Sequence, residues 1–318
     1  MSHPEENLPN FFLVGAPKAG TTSLYHYLDQ HPGIYMSPLK EVSYFALEIR
    51  PEYLATQGQP RTKQSQQSLR QYLDAGAIEK RFSGIVTEWD DYCRLFAHAR
   101  GQKAIGEASV HYLWSKTAAA RIAARIPHAK ILIVLRNPVE RAFSQYLHHL
   151  SLGVRHASFR EYLRAAFAHP IDKQLSPLHP FLELGLYAEQ LKRYHRHFPA
   201  QQIGLWLYED TRSPSFHREV FEFLQVDPDF QVDTTLRYLE PRVPEPGLRS
   251  TLRNSALWRG LRHALPMPIR SSLRKFAYKK PGAVQMQPAE RALLIDYYRE
   301  DIHKLERLLQ RDLSAWLK

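Results

Sequence analysis

Two apolar runs in the N-terminal half of the chain are each followed by a loop and then by a helical pattern. Residues 11–14 (FFLV) end at Gly15, and the segment 21–30 then places Leu24 and Leu28 four residues apart. A spacing of four keeps both leucines on one face of a helix. The pattern therefore predicts a strand, a loop and a helix at the start of the chain.

A second unit of this kind begins at residues 131–135 (ILIVL), which are apolar at every position. Such a run is typical of a parallel strand that is covered on both faces, and Pro138 follows where the first turn of a helix tolerates it. Between and after these units we predict a strand around Ile105, a helix at about 116–125 and a strand at 203–208. This alternation predicts an α/β fold with a central parallel sheet flanked by helices.

Three further helical patterns follow in the C-terminal half. Residues 184–198 and 215–224 form the first two. The third pattern spaces its apolar residues by four, four, three and four positions, as in an amphipathic helix packed along one face. These residues are Leu294, Tyr298, Ile302, Leu305 and Leu309.

Two polar or proline-rich stretches are predicted loops. Residues 57–68 contain almost no apolar side chain, and residues 240–247 carry three prolines. Neither stretch needs to divide the chain, and we find no internal repeat. We therefore expect a single domain over residues 1–318, with a basic, loop-rich region at about 237–287 before the C-terminal helix.

The composition is that of a globular protein. Of the 318 residues, 44% are hydrophobic and 24% are charged, which excludes a disordered or fibrous chain. Cys93 is the single cysteine, so no internal disulfide can form, and the N-terminal residues lack the pattern of a signal peptide. The longest apolar run, residues 131–135, is far shorter than the ~20 residues that span a bilayer. We therefore expect a cytoplasmic protein without a transmembrane segment.

The positive charge of the chain is unevenly distributed. The formal net charge is +11 at pH 7, which favours an anionic ligand or partner. Residues 237–280 contain eleven lysines and arginines against Glu240 and Glu245, a net charge of +9. Such runs are usually solvated surface, but apolar side chains such as Trp258 interleave with these arginines. We predict that this segment binds an anionic acceptor or the phosphate groups of a cofactor.

Residues 15–23 (GAPKAGTTS) connect the first predicted strand to its helix, where backbone amides and the helix dipole favour an anion. The loop of a nucleoside triphosphatase reads G-x-x-x-x-G-K-[ST]. Here Lys18 precedes the second glycine, and Thr21 and Thr22 occupy the K-[ST] positions. This order disfavours a P-loop nucleotide kinase. The hydroxyls could simply cap the helix, but the strand context and Lys18 favour a phosphate-binding loop.

Two motifs, in this order along the chain, resemble the phosphate sites of the sulfotransferase family. Residues 17–23 are similar to its 5′-phosphosulfate loop, PK(S/T/A)GTT(S/T), and residues 135–146 (LRNPVERAFSQY) are similar to its 3′-phosphate motif, RxPxxRxxSxY. Weaker similarity covers nearly the whole chain. The resemblance implies a P-loop-like three-layer fold and 3′-phosphoadenosine 5′-phosphosulfate (PAPS) as co-substrate, with no metal.

The resemblance also implies roles for the matched residues. PAPS carries phosphate groups at both ends of its ribose, so its binding needs two separated anion sites. Arg136 and Ser144 would bind the 3′-phosphate, whereas Arg141 is expected to make a structural pair. Pairing of Arg136 with Glu140 is the alternative to its ligand role. Lys18 would stabilise the charge on the leaving 5′-phosphate oxygen. The phosphosulfate would be held by Lys18, Ala19, Gly20, Thr21, Thr22 and Ser23.

Two residues are candidates for the catalytic base. Residues 31–45 (HPGIYMSPLKEVSYF) look most like the glycan-directed, heparan-sulfate-type branch, in which a glutamate before an aromatic pair is the base, and this implies Glu41. An exposed ion pair with Lys40 is the ordinary alternative. His111 lies roughly where the cytosolic branch carries a catalytic histidine. The glycan branch often reads EKSPxY in this segment, and here Ala108 replaces its lysine.

These features favour transfer of a sulfuryl group from PAPS to a hydroxyl or amine, on a carbohydrate or another small acceptor, anionic acceptors included. A P-loop nucleotide kinase is one alternative. A non-enzymatic basic protein that binds nucleic acid or a membrane is another, but it leaves both phosphate motifs unexplained, so we expect no nucleic-acid partner. The histidines lack the spacing of zinc ligands, and Cys93 is expected in the core.

Overall fold

The computed structural model describes residues 7–49, 62–82, 84–151, 158–168, 180–235, 243–244, 278–279 and 284–318. Its strands are β1 (Phe11–Gly15), β2 (Ile34–Met36), β3 (Leu39–Lys40), β4 (Arg81–Phe82), β5 (Ala104–Ala108), β6 (Lys130–Leu135), β7 (Ile203–Leu207), β8 (Val243–Pro244) and β9 (Tyr278–Lys279).

The helices are α1 (Thr21–Asp29), α2 (Thr62–Asp74), α3 (Trp89–Arg94), α4 (His111–Trp114), α5 (Ala118–Arg125), α6 (Pro138–Ser151), α7 (Phe159–Ala168), α8 (Tyr187–His195), α9 (Phe216–Leu224) and α10 (Pro288–Leu309). Single 3-10 turns are formed by Leu47–Ile49, Glu183–Gly185, Ala200–Gln202, Asp210–Arg212 and Ser314–Leu317.

A five-stranded parallel sheet, in the order β2-β5-β1-β6-β7, forms the centre of the fold. Residues 131–135 of β6 are fully buried, which matches their uninterrupted apolar run, since helices cover both faces of the sheet. The strands predicted at 11–14, around Ile105, at 131–135 and at 203–208 are confirmed as β1, β5, β6 and β7. The α/β fold predicted from the sequence is therefore confirmed.

The central position of β1 determines where a ligand can bind. Phe11 at its start is level with Gly106 of β5 and with Lys130 of β6. A Cβ atom on Gly106 would lie only 2.1 Å from the Phe11 ring, so this close pairing of β1 with β5 requires a glycine there. The carboxyl ends of β1, β5 and β6 consequently meet at one edge, the usual ligand site of an open α/β sheet.

The predicted loop at 57–68 is wrong where the structure describes it, because helix α2 begins at Thr62. Its last turns carry the buried side chains of Leu69 and Leu73, four residues apart. Tertiary packing of this short apolar face stabilises a helix whose first half is polar. Residues 57–61 lie outside the described residues.

The single helix predicted at 184–198 is also wrong in its extent. A 3-10 turn covers Glu183–Gly185, and α8 begins only at Tyr187. The Asp301 carboxylate of α10 accepts hydrogen bonds from the backbone N–H of Tyr187 at 2.7 Å and from that of Ala188 at 3.2 Å. These bonds satisfy amides that the start of a helix leaves open. A side chain from a distant helix therefore sets where α8 begins.

Most of the basic region at about 237–287 lies outside the described residues, so its loop-rich character and the single domain stay predictions. Within it, the short strands β8 and β9 pair antiparallel, with Val243 opposite Lys279. In the part of the chain that the structure describes, no helix has the length and apolar character needed to cross a membrane.

Candidate active site

The loop between β1 and α1 is curled against the neighbouring strand. The backbone N–H of Ala16 donates to the carbonyl of Val134 in β6 at 2.6 Å. Lys18 and Gly20 both have positive φ, 68° and 83°, and a Cβ on Gly20 would lie 3.3 Å from the Tyr208 ring. Gly20 is the N-cap of α1 and offers no side-chain oxygen. The amides of the first turn of α1 are therefore not capped by a side chain, as an anion site requires.

The three hydroxyls at the start of α1 do not cap the helix. Thr21 is buried, and Thr22 and Ser23 are half-buried. Among the residues that the structure describes, α1 has no side-chain cap, and no partner is seen for these hydroxyls. The capping role considered from the sequence is therefore not observed, and the three hydroxyls stay candidates for ligand binding.

Lys18 lies in a concentration of positive charge. Burial, together with the charges of Arg136 and Lys40, lowers the pKa of its ammonium to about 8. Arg136 also donates from its guanidinium to the Lys18 carbonyl at 3.0 Å. A bound anion would relieve this repulsion, so the loop is electrostatically prepared for phosphate or sulfate oxygens.

Arg136 is held at the carboxyl end of β6 by two tyrosines. Its guanidinium lies over the Tyr208 ring, 4.7 Å from the ring centre, and its carbonyl accepts a hydrogen bond from the Tyr187 hydroxyl at 2.9 Å. The proposed pairing of Arg136 with Glu140 is not observed, because Glu140 pairs with Arg291. Arg136 thus lies beside the β1–α1 loop with its charge available to a ligand.

Ser144 lies two turns into α6, and His148 follows it by four residues on the same helical face. Burial lowers the pKa of His148 to about 4, and the charges of Lys18 and His149 act in the same direction. Since the charge of Lys18 acts on His148, this face of α6 is turned toward the β1–α1 loop. The sequence assigns His148 no role, and the electrostatic effect of Lys18 identifies it as a neighbour of the site.

Arg141 has a structural role, as the sequence predicted. Its side chain is fully buried, and its guanidinium donates to the Gln145 side chain and to the Phe181 carbonyl. The partners are an amide and a backbone carbonyl rather than a carboxylate. Arg141 therefore ties α6 to the backbone of Phe181.

Glu41 lies just beyond β3 and is fixed from two sides. Its N–H donates to the Ala108 carbonyl at 2.8 Å, and its Oε2 accepts the N–H of Val110 at 2.9 Å. Its Oε1 pairs with the ammonium of Lys40. Burial alone would raise the pKa of this carboxyl, but Lys40, His111 and the Val110 amide together hold the pKa below its usual range. Glu41 is therefore ionised at neutral pH and able to accept a proton.

The pair between Lys40 and Glu41 is not the exposed ion pair that the sequence suggested. The Lys40 side chain is 3% exposed and that of Glu41 is 19% exposed. Burial makes the pair a part of the site, because a desolvated cation here acts on every neighbouring charge. The sequence alone does not identify Lys40 as a residue of the site, because the pattern of residues around a lysine does not show whether its side chain is buried.

His111, the rival candidate, lies in the same site. Its Nδ1 is 3.1 Å from the Ser43 hydroxyl and 3.9 Å from Glu41 Oε2. The N–H of Ser43 in turn donates to the Ser109 hydroxyl at 3.0 Å. The segment after β5 thus holds the segment that carries Glu41, and the two candidate bases act on one another.

Glu107 is a buried carboxyl that sequence reasoning passed over. It is the penultimate residue of β5, and burial raises its pKa to about 7 against the opposing effect of the Tyr112, Tyr92 and Ser109 hydroxyls. The charge of Glu41 also raises it. Since Tyr112 and Ser109 bond the backbone of Phe45 and Ser43, Glu107 lies beneath the segment that positions Glu41.

Known proteins share sequence and fold with this chain. Residues 9–203 match the profile described as "Sulfotransferase family". The crystal structure of a sulfotransferase from Alicyclobacillus acidocaldarius is 33% identical, with a TM-score of 0.69, and the match covers 98% of this chain and 99% of that one.

Among curated proteins, the membrane-associated sulfotransferase kil1 of Dictyostelium discoideum is 30% identical over 52% of this chain and 28% of its own length. The bovine bifunctional heparan sulfate N-deacetylase/N-sulfotransferase 2 is 25% identical over 98% of this chain. This chain spans about a third or less of the length of these two relatives. The resemblance stated from the two motifs is confirmed: the chain belongs to the sulfotransferase family.

Proposed function

We propose that this protein transfers a sulfuryl group from PAPS to a hydroxyl or amine, on a carbohydrate acceptor. The observation that carries the proposal is the meeting of two groups at one sheet edge. The anion loop with Lys18 lies at the end of β1, and the ionised carboxylate of Glu41 is hydrogen-bonded to the end of β5. A cationic donor site beside a base is the arrangement that in-line group transfer needs.

The transfer step follows from this arrangement. The bond between sulfur and the 5′-phosphate oxygen breaks while the acceptor oxygen or nitrogen forms a new bond to sulfur. Lys18 and the amides at the start of α1 stabilise the negative charge on the leaving phosphate. Glu41 takes the proton of the acceptor, and adenosine 3′,5′-bisphosphate is released. Arg136 and Ser144 hold the 3′-phosphate, and Lys18, Ala19, Gly20, Thr21, Thr22 and Ser23 hold the phosphosulfate.

The assignment of a carbohydrate acceptor rests on relatives and on charge. The names of similar proteins include a heparan sulfate N-sulfotransferase and a carbohydrate sulfotransferase. The net charge of +11 would favour an anionic glycan. Family membership supports neither the nucleotide kinase nor the non-enzymatic binding protein. The cytoplasmic location and the lack of a metal stay predictions.

Binding of adenosine 3′,5′-bisphosphate is expected to stabilise the fold. A ligand at ~100 times its Kd adds about 2.7 kcal/mol to the free energy of unfolding, because it binds the native state alone. Thermal unfolding with saturating bisphosphate should therefore give a higher Tm, whereas ATP with magnesium should not. An unchanged Tm with bisphosphate, together with a raised Tm with ATP and magnesium, would favour the kinase.

Arg136→Ala supplies the matched control for this experiment. A hydrogen bond to a charged group contributes about 1.5–3 kcal/mol, so the variant should lose affinity for the bisphosphate. It should keep most of its affinity for adenosine 5′-phosphosulfate, which has no 3′-phosphate. Equal losses for both ligands would remove Arg136 from the 3′-phosphate site.

A further inference from the structure

Lys40 is a buried cation with donors to spare. It ends β3, and its side chain is 3% exposed. Within the described ranges, the Glu41 carboxylate is the one hydrogen-bond partner of its ammonium. A lysine ammonium has three N–H donors, and burying such a group is costly unless its donors are satisfied. Among the described residues, two donors of Lys40 therefore have no partner, and they can bind an anionic ligand.

Lys40 interacts with both Glu41, the proposed base, and Lys18, the lysine of the donor loop. On one side it contacts Glu41, and on the other it is close enough to Lys18 to lower the pKa of that lysine. The sulfuryl group has to move from an oxygen held near Lys18 to an acceptor atom near Glu41. Lys40 contacts Glu41 and lies within electrostatic range of Lys18, so its charge acts on a group that moves between them.

The segment at the end of β5 lacks a lysine that the glycan-directed branch of the family often has there. Ala108 stands where the EKSPxY motif has lysine. The N–H of Glu41 donates to the carbonyl of this same Ala108 at 2.8 Å, so Lys40 lies next to the segment from which the lysine is missing. A cation is thus present at this edge of the sheet, but it comes from β3 instead of β5.

We propose that Lys40 is a further catalytic residue, which binds the oxygens of the sulfuryl group while it passes from the 5′-phosphate to the acceptor. The proposal rests on the proposed function. The sulfur–oxygen bond to the leaving phosphate breaks, the bond to the acceptor forms, and the acceptor proton goes to Glu41. As the negatively charged sulfuryl group arrives, Lys40 donates to its oxygens and Glu41 becomes free to take the proton.

The test compares Lys40→Met with Lys192→Met. Lys192 also pairs with a glutamate, Glu189, at 2.7 Å, but this pair is exposed on α8. Lys40→Met should lower kcat by about 10²-fold, the effect of losing one preorganised donor, with unchanged affinity for the bisphosphate. Lys192→Met should leave both unchanged. If Lys40→Met lowers Tm, Lys40→Gln, which keeps a donor without the charge, takes its place.

A pH profile separates this role from a merely structural one. The charged or titratable groups that act on Glu41 are Lys40, His111 and Glu107. Removing the Lys40 cation should raise the pKa of Glu41, so the acid limb of kcat/KM should move to higher pH. An unchanged acid limb and an unchanged kcat would overturn the proposal.

A double variant separates contact with the sulfuryl group from an effect through the base alone. In a Glu41→Gln background, Lys40→Met should lower the remaining rate further, because the sulfuryl contact does not require the carboxylate. No further loss in that background would show that Lys40 acts only through Glu41 and would overturn the proposal. A wild-type chain that transfers no sulfuryl group from PAPS would instead overturn the proposed function itself.

Discussion

Replacing Glu41 by glutamine is expected to lower kcat for sulfuryl transfer by ~10²–10⁴-fold, the usual effect of losing a general base. Glutamine keeps the shape of the side chain and can still accept the hydrogen bond from Val110. It cannot take a proton. Affinity for adenosine 3′,5′-bisphosphate should survive, because the donor loop is built by other residues. Calorimetric titration alongside single-turnover kinetics measures both quantities.

The matched control is His111→Asn, since both side chains lie in one site, with His111 Nδ1 3.9 Å from Glu41 Oε2. This variant should reduce the rate less than Glu41→Gln, because it changes the environment of the base and leaves the base in place. Should Glu41→Gln stay active while His111→Asn is inactive with the bisphosphate still bound, the base is His111 and the role of Glu41 is wrong.

Lys18→Met is the second substitution with a large expected effect, since it should damage both binding and turnover. The lysine meets the donor in the ground state and the leaving oxygen in the transition state, so kcat should fall by about 10³-fold and bisphosphate affinity should fall as well. Lys130→Met is the control on the same sheet. Lys130 lies at the opposite end of β6 from Arg136 and donates to the Phe223 carbonyl at 2.6 Å.

The lowered pKa of Lys18 also gives the binding site a pH dependence of known sign. With a pKa of about 8 in the free protein, Lys18 is charged below that pH and neutral above it. Bisphosphate affinity should therefore fall as the pH rises through about 8. In Lys18→Arg the affinity should not fall as the pH rises through about 8, because a guanidinium stays protonated. A wild type whose affinity does not change with pH, or an arginine variant whose affinity still falls, would contradict the assignment of Lys18.

The sheet and the phosphate loop could be predicted because their signals are local. Buried parallel strands such as β6 have an uninterrupted apolar run. The loop before α1 lies between one such run and the apolar spacing of a helix. Elements that depend on distant partners could not be predicted in this way. Helix α2 is stabilised by two leucines in a polar segment, and α8 begins where Asp301 of α10 meets it.

The residues of the candidate site also divide into those that a sequence motif identifies and those that depend on distant parts of the fold. Motif position identifies Lys18, Arg136 and Glu41 as candidates. The burial of Lys40 and the lowered pKa of His148 depend on other elements of the fold, and a single sequence records neither quantity. A buried lysine and an exposed one look alike in the chain, although only the buried one shifts its neighbours strongly.

Transfer of the sulfuryl group to an acceptor is the direct test of the proposed function. The purified chain is incubated with PAPS labelled in the sulfuryl group and with neutral and anionic oligosaccharides and amino sugars. We expect label in an oligosaccharide, with an equal amount of adenosine 3′,5′-bisphosphate released, and loss of both in Glu41→Gln. Binding of PAPS without label in any acceptor, or label transfer that survives Glu41→Gln and Lys18→Met, would contradict it.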